Sequence, residues 1–324
     1  MKLQGIYLLL VPALLSVSSC SDSDHSGPEQ VPIELHASGE EVVVTKADPA
    51  EVKEAFSTTV FATRRAGVYT GLTTTDTNNE WMKDADVAVG GAVSLPDELF
   101  YPKYGDWIYL VAVAPKIEAS SSSYNSADGT VTYTLDGKTD LLYARQIQGN
   151  RWEGSRFSNT DNTKDKPLVY THLLTQLKFK AKKVTDGLTV KVKKITVSNV
   201  NTSVTFPLAS GEATFSTSGS LSLSFANDGA EVTKTQLATD LDGVLLLPPL
   251  VAGTSAYQLT VETSVGTFEN LPINFGNDGN ANTLKQGVSH DITLEISDRE
   301  LEILSVTVAE WAPVPQDGEL DLIN

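Results

Sequence analysis

Residues 168–200 read LVYTHLLTQLKFKAKKV, then TDG, then LTVKVKKITVSNV. In both long runs apolar side chains alternate with lysine, threonine or serine, which is the period of a β-strand with one buried face and one solvent face. Between the runs, Asp186-Gly187 supplies the positive φ angles that a tight turn needs. The stretch therefore predicts two β-strands, which we expect to pair as a hairpin.

The same pattern extends over most of the chain. Short runs rich in Val, Ile, Thr and aromatic residues recur, and seven Asp-Gly dipeptides punctuate the sequence. Helical periodicity is nearly absent. These features predict an all-β fold built of antiparallel β-sandwiches, each burying one face of each sheet.

A polar segment, NTDNTKDKP at residues 159–167, interrupts the β pattern. It has no apolar residue and ends in proline, as linkers between domains often do. It predicts an N-terminal domain of residues 31–166 and a C-terminal domain of residues 167–324. Each has an ordinary size for a β-sandwich.

The charge and the cysteine count exclude several classes of protein. The chain has 324 residues, 24 Lys+Arg against 41 Asp+Glu, a formal net charge of −17, one cysteine and four histidines. A field this negative repels phosphate backbones, so we expect no nucleic-acid partner. One thiol cannot form an internal disulfide, and these counts do not support a zinc cluster. The composition therefore predicts no metal and no cofactor.

Catalytic motifs are also missing from the sequence. It contains no G-x-S-x-G elbow, no P-loop and no H-E-x-x-H. His36, His172 and His290 lie far apart within strand patterns, where a histidine is usually a packed residue. We therefore predict no catalytic residues and no enzymatic activity.

Tryptophan is the other residue type that could form a binding site. The four tryptophans could offer a platform for stacking sugars, although such residues are ordinarily part of a core or its rim. They are Trp81, Trp107, Trp152 and Trp311.

The N-terminus has the features of an export signal. Lys2 is followed by an apolar run from Ile6 to Leu15 and by small residues up to Cys20. This run is too short to span a bilayer, and its flanks are those of a secretory signal peptide over residues 1–19. A cysteine directly after Val-Ser-Ser resembles the bacterial lipobox. Cys20 is thus predicted to be the lipidated first residue of the mature protein.

A tether follows the predicted lipidation site. Residues 20–30 are rich in Ser, Asp, Gly and Pro and cannot pack into a core. The stretch from Ser21 to Asp24 resembles the acidic export signal of surface lipoproteins, whereas the plainer alternative is a solvated linker. The first interpretation predicts a lipoprotein exposed on the outer membrane.

Charge is unevenly distributed along the C-terminal half. Seven lysines lie between positions 178 and 194, whereas nine acidic residues lie in the last 34 positions against Arg299 alone. In one interpretation the lysines protect an exposed edge and the acids keep the protein soluble. In the other, the basic strands of one subunit face the acidic tail of the next, head to tail. The interface candidates are Lys178, Lys180, Lys182, Lys191 and Lys193.

Several dispersed motifs resemble the fimbrillins, the subunits of type V pili, in their Mfa-like branch. None is specific alone, but together they occur in the order of that family over residues 17–311. The motifs are the lipobox at Cys20, Phe61-Ala-Thr-Arg64, Gly67-Val-Tyr69, Trp81, Phe100-Tyr-Pro102, Ile108-Tyr-Leu-Val-Ala112, Asp140-Leu-Leu-Tyr-Ala144, the run from Tyr170 to Phe179, and Val308-Ala-Glu-Trp311.

This resemblance implies a fold and an assembly mechanism. In the family, two transthyretin-like antiparallel β-sandwich domains with Greek-key-type connections are exported as a lipoprotein. A trypsin-like surface protease then cuts after a basic residue and removes the first strand. The C-terminal strand of a neighbouring subunit fills the resulting groove, which is a form of β-strand addition.

The resemblance also suggests where the cut falls. Residues 31–46 contain strand material that would fill the groove before cleavage, and Lys46 lies at its end. Many subunits of the family have arginine at this point, so with Lys46 here the alternatives are a protease of other preference or no cleavage. Arg64 and Arg65 form the competing site, but they lie in or at the end of a predicted strand, where a protease has poor access.

The donor strand is expected in residues 312–324. Val314, Leu320 and Leu322 are its apolar positions, and Leu320 and Leu322 alternate with acids at period two. Pro313 and Pro315 cannot donate backbone hydrogen bonds and suit an extended linker. The alternative is that this tail completes its own sandwich, in which case the protein would be an anchor, a tip or a non-polymerising relative.

The predicted function is that of a structural subunit of a cell-surface fimbria. Its predicted partners are other subunits in a head-to-tail polymer, the outer membrane through the lipid, a trypsin-like surface protease, and a host or bacterial receptor. After processing, the subunit would be located in the fimbrium. The alternative is a non-polymerising surface lipoprotein that binds glycan or acts as a pilus anchor or tip adhesin.

Overall fold

The structure, a computed structural model, describes residues 30–39, 52–64, 81–157, 167–250, 256–273, 283–309 and 311. Within these ranges the regular structure consists of β-strands, and no helix occurs. The strands are β1 Leu35–Gly39, β2 Phe56–Thr63, β3 Trp81–Val87, β4 Ala92–Ser94, β5 Ile108–Ala114, β6 Ser122–Asn125, β7 Thr130–Thr134, β8 Leu142–Gly149, β9 Leu168–His172, β10 Thr175–Lys183, β11 Val190–Pro207, β12 Thr214–Ser224, β13 Ala230–Val232, β14 Thr239–Leu247, β15 Gln258–Thr263, β16 Thr267–Pro272, β17 Ser289–Ile296 and β18 Leu301–Ala309.

Seven of these strands close into a barrel with the order β1-β4-β3-β2-β5-β8-β9. Its neighbouring strands pair antiparallel, except that β1 and β9 run parallel. The β1–β9 pair joins the two ends of the series. The barrel is therefore closed by the strand that comes first in the described chain.

Two further sheets follow. One has four strands in the order β14-β10-β17-β18, and the other is built around β11, with the path β16-β15-β11-β7-β6 and with β12 and β13 also paired to β11. Strand β11 has 18 residues, long enough to pair with β13, β12, β15 and β7 at successive positions. A register shift near Asn199, whose φ is +63°, interrupts its ladder.

The apolar side chains form two clusters that share strand β5. Leu110 and Ala112 belong to the cluster inside the barrel, whereas Val111 and Val113 belong to the larger cluster that the other two sheets cover. Every residue of β5 is buried, so this strand reads as a continuous apolar run without alternation. The barrel and the remaining sheets are therefore coupled through β5, because one face of this strand packs inside the barrel and the other face packs in the larger cluster.

The predicted all-β fold class is confirmed. Pairing is antiparallel throughout the named strands, with two exceptions: β1 runs parallel to β9, and β10 runs parallel to β17 over eight residue pairs. The solvent-facing lysines of β10 also follow the predicted alternation, since Leu177, Phe179 and Ala181 are buried and the lysines between them are partly exposed.

The predicted hairpin at residues 168–200 is wrong. Strand β10 pairs with β14 and β17, and β11 pairs with strands of the other sheet, so the turn at Asp186-Gly187 carries the chain from one sheet to the other. Alternation reports which face of a strand meets water, but it carries no information about the neighbouring strand. The lysines of β10 and β11 therefore lie on different sheets.

Strand pairing does not follow the boundary expected at residues 166 and 167. Strand β9 begins at Leu168 yet pairs with β8 and β1 in the barrel, and β7 leaves the N-terminal half to pair with β11 from Ser203 to Pro207. A polar, proline-ended segment indicates an exposed connection, and such a connection can join two strands of one sheet. The division of the chain into two domains stays a prediction.

Because β5 and its neighbour β2 serve both clusters, we predict that damage to either cluster lowers the stability of the whole described fold. Leu110→Ala in the barrel cluster and Phe61→Ala in the larger cluster should each cost about 2–5 kcal/mol. Both residues are fully buried. The measurement is chemical denaturation followed by tryptophan fluorescence and circular dichroism, with one shifted transition expected for each variant.

The matched control is Leu237→Ala, because Leu237 is 71% exposed and its truncation should change the unfolding free energy by less than about 0.5 kcal/mol. Two separate transitions, of which each variant shifts only one, would contradict the coupling through β5.

Candidate assembly site

Strand β1 is the short piece that closes the barrel between β4 and β9. It pairs with β4 at Leu35 and His36 and with β9 at Ala37, Ser38 and Gly39. The chain preceding β1 continues the contact, with Ile33 N donating to Leu99 O at 2.7 Å and Tyr101 N donating to Val31 O at 2.9 Å. Removing this segment would leave backbone groups of β4 and β9 without these partners.

The side chains of this segment fill one side of the barrel core. Ile33, Leu35 and Ala37 are spaced two residues apart, and all three are buried in the barrel cluster. This is the alternation expected of a strand that offers one face to a core. Complete burial of an Ile or Leu side chain stabilises a fold by about 1.5–3 kcal/mol. Loss of the segment would remove this stabilisation and would expose the apolar groove that its side chains fill.

The opposite set of side chains in β1 is less well satisfied. His36 Nδ1 and Ser38 Oγ are buried polar atoms with no hydrogen-bond partner in the described part of the chain. A buried polar group that lacks a partner costs about 1–3 kcal/mol. Strand β1 therefore buries its apolar side chains in the core, but it also buries two polar atoms whose hydrogen bonds are not satisfied by described residues.

The backbone of β1 lies directly against a glycine. Ala37 N donates to Gly91 O at 2.7 Å, and a Cβ at position 91 would overlap Ala37 O and lie 2.8 Å from the His36 ring. Gly91 also has a φ of +89°, in the left-handed region that favours glycine. This glycine permits the close approach of β1 to the turn before β4.

Tyr170 lies at the parallel end of the β1 pairing, opposite Gly39. Its hydroxyl is 2.8 Å from Thr58 Oγ1, and its ring meets Phe56 edge-on at 5.1 Å between centroids. Complete burial raises the pKa of the Tyr170 phenol well above its usual range. The wall that would face an emptied groove is therefore apolar, uncharged and internally hydrogen-bonded.

Most of the residues predicted for processing and donation lie outside the described residues. These are Cys20, Lys46, Arg65, Val314, Leu320 and Leu322. Lys46 falls in the sequence between β1 and Val52, and Val52 is buried in the barrel with its carbonyl accepting from Gly90 N. Arg64 directly follows β2, as predicted, and its guanidinium is 3.4 Å from the Asp106 carboxylate.

The start of the C-terminal tail has a defined position. Trp311 stacks on His172 with ring centroids 4.0 Å apart, and His172 Nδ1 is 2.5 Å from Asp140 Oδ2. His172 and Asp140 are both buried, and Asp140 Oδ1 has no partner among the described residues. Trp311, Asp140 and Phe56 line one side of a cleft of about 260 Å³ between the barrel and the four-stranded sheet. The tail from residue 312 therefore begins at this junction.

Three of the five candidate interface lysines form ion pairs within their own chain. Lys180 Nζ is 2.7 Å from Asp291 Oδ2, and Lys182 Nζ is 2.6 Å from Glu295 Oε2. The hydrogen bond to Asp291 raises the pKa of Lys180. Asp291 and Glu295 of β17 thus neutralise two of the candidate lysines on the neighbouring strand β10, and charge complementarity between subunits stays a prediction.

The other lysines of this group lie elsewhere. Lys193, on β11, is 3.3 Å from Asp228, and Lys191, on the same strand, lies in the other sheet from Lys178. The five interface candidates are therefore divided between two sheets, and their role in an interface stays a prediction. A continuous charged run in the sequence was divided between two sheets by the turn at Asp186-Gly187.

The histidines behave as the strand pattern predicts, since His36, His172 and His290 lie on β1, β9 and β17. Their mutual separation agrees with structural roles. The tryptophans differ from one another: Trp311 packs on His172, whereas Trp107 and Trp152 are 38% and 59% exposed. In the ranges that the structure describes, no group of His, Cys, Asp or Glu side chains could hold a metal ion. Nor does any helix there have the length and apolarity to cross a membrane.

Sequence reasoning missed the Asp140–His172–Trp311 cluster and the role of Gly91. Asp140 and His172 both occur in motifs quoted above, but the motifs are 32 positions apart and nothing in either one indicates their contact. The Gly90-Gly91 pair was the available signal for a left-handed turn.

The sequence model of a family described as fimbrillin-like matches residues 42–311. Among curated proteins, none matches the chain.

Solved structures that match this chain include three from Bacteroides species. A candidate cell adhesion protein from Bacteroides uniformis is 18% identical, with a TM-score of 0.53, over 87% of this chain and 99% of that one. A fimbrial protein from Bacteroides vulgatus is 16% identical, with a TM-score of 0.52, over 88% and 100%. A candidate cell adhesion protein from Bacteroides ovatus is 18% identical, with a TM-score of 0.53, over 87% and 97%. At these identities the similarity shows the fold alone.

We predict that Gly91→Ala loosens β1 from the barrel. The new Cβ would overlap Ala37 O, and the alanine would also bear about 1–2 kcal/mol of left-handed backbone strain. Hydrogen exchange of the amides in residues 33–39 should rise by at least about tenfold, while the amides of β5 keep their protection.

Gly154→Ala is the matched control. Gly154 has a φ of +83°, but nothing lies within 4 Å of the position its Cβ would take. This variant should bear the backbone strain without releasing β1. Equal exchange in both variants would show that contact with Ala37 is not what holds the strand.

Proposed function

Because this chain belongs to the fimbrillin-like family, we propose that it is a structural subunit of a cell-surface fimbria that polymerises by protease-triggered donor-strand exchange and supports adhesion. The observation that carries the proposal is the position of β1, an early strand that fills the barrel and precedes the expected cut. The role needs no catalytic group, metal or cofactor.

The geometry of β1 suits a strand that completes the barrel before cleavage and dissociates from it afterwards. With the preceding Ile33 it contributes three buried apolar side chains, but it makes only five residue pairs with its neighbours. For comparison, β17 and β18 share eight pairs. A single cut between β1 and Val52 would turn β1 from a part of the chain into a separate peptide, which dissociates more easily because it is no longer tethered.

A replacement strand has a thermodynamic reason to bind. The emptied barrel would expose apolar surface and the backbone edges of β4 and β9, so a strand with side chains at period two would recover both kinds of contact. The buried atoms His36 Nδ1 and Ser38 Oγ have no hydrogen-bond partner in the described part of the chain and cost β1 about 1–3 kcal/mol each, which weakens its hold on the barrel. A donor strand would therefore compete for the groove with a cut β1 that binds less tightly than its apolar packing alone would give.

The tail from residue 312 to 324 is the proposed donor. It follows Trp311, whose stacking on His172 anchors the point where the tail leaves the subunit. Leu320 and Leu322 would occupy the positions that Leu35 and Ala37 fill in the uncut chain. A tail held by its own subunit would instead give an anchor, a tip or a glycan-binding lipoprotein that does not polymerise.

The remaining steps are located in the sequence. Lipid on Cys20 would hold the uncut subunit at the outer membrane, and cleavage by a trypsin-like surface protease would release it from the lipid as β1 is lost. The subunit would then enter a head-to-tail polymer with other fimbrial subunits, which presents it to a host or bacterial receptor.

Cleavage at Lys46 is tested with Cys20→Ser protein, which cannot be lipidated. Treatment with trypsin should give a new N-terminus at Ala47 and a ladder of oligomers on mildly denaturing gels. Lys46→Gln should abolish both, because trypsin does not cut after glutamine. The measurement is N-terminal sequencing together with the gel.

Arg64→Gln is the control for the competing site and should leave the ladder intact. Ladders from Lys46→Gln protein, or a new N-terminus only after Arg64 or Arg65, would contradict the proposed position of the cut.

Donation by the tail is tested with Leu320→Asp/Leu322→Asp after the same protease treatment. Charges in place of the two leucines should prevent their burial in a neighbouring barrel and reduce oligomers by at least about tenfold. The matched control is Glu319→Ala/Asp321→Ala, which changes the other face of the same segment and should still polymerise. Equal loss in both variants, or none in either, would argue that the alternation of the tail does not direct assembly.

A further inference from the structure

Two loops at one end of the barrel present exposed aromatic rings. We call this surface the aromatic platform, formed by Tyr104 and Trp107 on the connection to β5 and by Trp152 on the connection after β8. Their exposed fractions are 88%, 38% and 59%. Large aromatic side chains are usually buried, so exposure of three of them in adjoining loops calls for a functional explanation.

The platform is held in place by contacts between the two loops. Arg151 Nη1 donates to Lys103 O, Phe157 N donates to the Tyr101 hydroxyl at 2.6 Å, and the Tyr101 and Phe157 rings stack at 5.7 Å. Tyr101 and Phe157 belong to the barrel core. The exposed rings therefore stand on loops that are tied to each other and to the core.

Contacts with Asn150 and Gly105 fix the position of Trp152. Its backbone N donates to Asn150 Oδ1 at 3.0 Å, and its indole lies against Gly105, where a Cβ would come within 2.5 Å of Nε1. Gly105 has a φ of +81°, which favours glycine at this point. An ordered, exposed indole loses little conformational entropy when a ligand stacks on it.

The platform is less negative than the chain as a whole. The described residues of the two loops, with the adjoining Arg64, contain four cations and four acids, for a balance of 4 − 4 = 0 in a chain of −17. The Arg151 guanidinium carbon lies 5.6 Å from the centre of the Trp152 ring. The acids are Asp97, Glu98, Asp106 and Glu153; Asp97 is 2.6 Å from Lys83, and Asp106 is 3.4 Å from Arg64. An anion beside Trp152 would thus meet the Arg151 guanidinium in a neutral setting, whereas the protein as a whole repels it.

We infer that the aromatic platform binds a saccharide that carries a carboxylate. The C–H groups on one face of a pyranose ring are weakly positive and are attracted to the negative face of an indole or phenol ring. A guanidinium next to that ring matches a carboxylate in charge and in hydrogen-bonding geometry. A uronic or sialic acid residue carries both a pyranose ring face and a carboxylate attached to that ring.

The size of the platform favours a saccharide over a protein partner. The exposed parts of the three rings amount to less than two whole aromatic side chains, at most about 500 Å². Each partner in a standard protein interface contributes roughly 800 Å². The platform suits a ligand of a few rings, and it is separate from the β1 groove that serves polymerisation.

The test is calorimetric titration of the full chain carrying Cys20→Ser with three probes: trigalacturonic acid, a hyaluronan tetrasaccharide and 3′-sialyllactose. At least one should bind, and its methyl ester should bind at least about tenfold more weakly because the carboxylate charge is lost. Trp152→Ala and Arg151→Ala should each weaken binding by at least about tenfold. Arg151→Lys should recover part of the affinity, because it restores the charge without the planar donor pair.

Two controls separate stacking and charge from general effects. Leu237→Ala removes an exposed apolar side chain elsewhere, and Arg299→Ala removes a cation whose side chain is 88% exposed; both should bind like the parent protein. Gly105→Ala keeps every side chain of the platform but should displace Trp152, so we expect weaker binding and a shifted tryptophan emission. Thermal unfolding of each variant confirms that it folds.

The inference is overturned if none of the three probes binds at millimolar concentration, or if binding survives Trp152→Ala. It is also overturned if the platform variants change self-association after protease treatment without changing saccharide binding, because the platform would then be a subunit contact. Since polymerisation is measured separately, failure here leaves the proposal for β1 and the tail in place.

Discussion

The barrel is closed because the five residues of β1 bridge β4 and β9. Backbone groups at a strand edge need partners, and apolar side chains inside a barrel need cover, and β1 supplies both at once. Strand β1 makes few residue pairs with these neighbours, and it buries polar atoms of His36 and Ser38 that have no partner among the described residues. This combination, which is sufficient for folding but open to replacement, is the physical basis of the assembly mechanism proposed for the protein.

A closing strand that can be lost requires the rest of the fold to stand without it. Strand β5 provides this support, since its alternate side chains are buried in the barrel cluster and in the larger cluster. The Asp140–His172–Trp311 contact adds a second link, from the barrel to Trp311, the last described residue before the tail. The emptied groove would therefore remain part of a packed structure, which keeps its shape available to an incoming strand.

Charge and aromatic residues are used for different purposes in different parts of the surface. Lysines on β10 neutralise acids on β17 across a parallel pairing, so the most basic stretch of sequence stabilises a sheet. The smaller group of cations around Trp152 lies instead beside exposed rings. Exposed aromatic area beside a guanidinium is the setting from which we infer a saccharide-binding surface.

The sequence by itself determined the all-β class, the solvent face of β10 and the presence of strand material before Lys46, because side-chain alternation reports burial locally. It also led to the family through motifs spread along the chain. Only the tertiary structure decided that β10 and β11 belong to different sheets, that β9 returns to the barrel and that β7 joins β11. Strand partners are chosen by long-range packing, and a period of two is the same whichever neighbour a strand has. For the same reason, the contact of β1 with Gly91 and the contact of Gly105 with Trp152 required the folded chain.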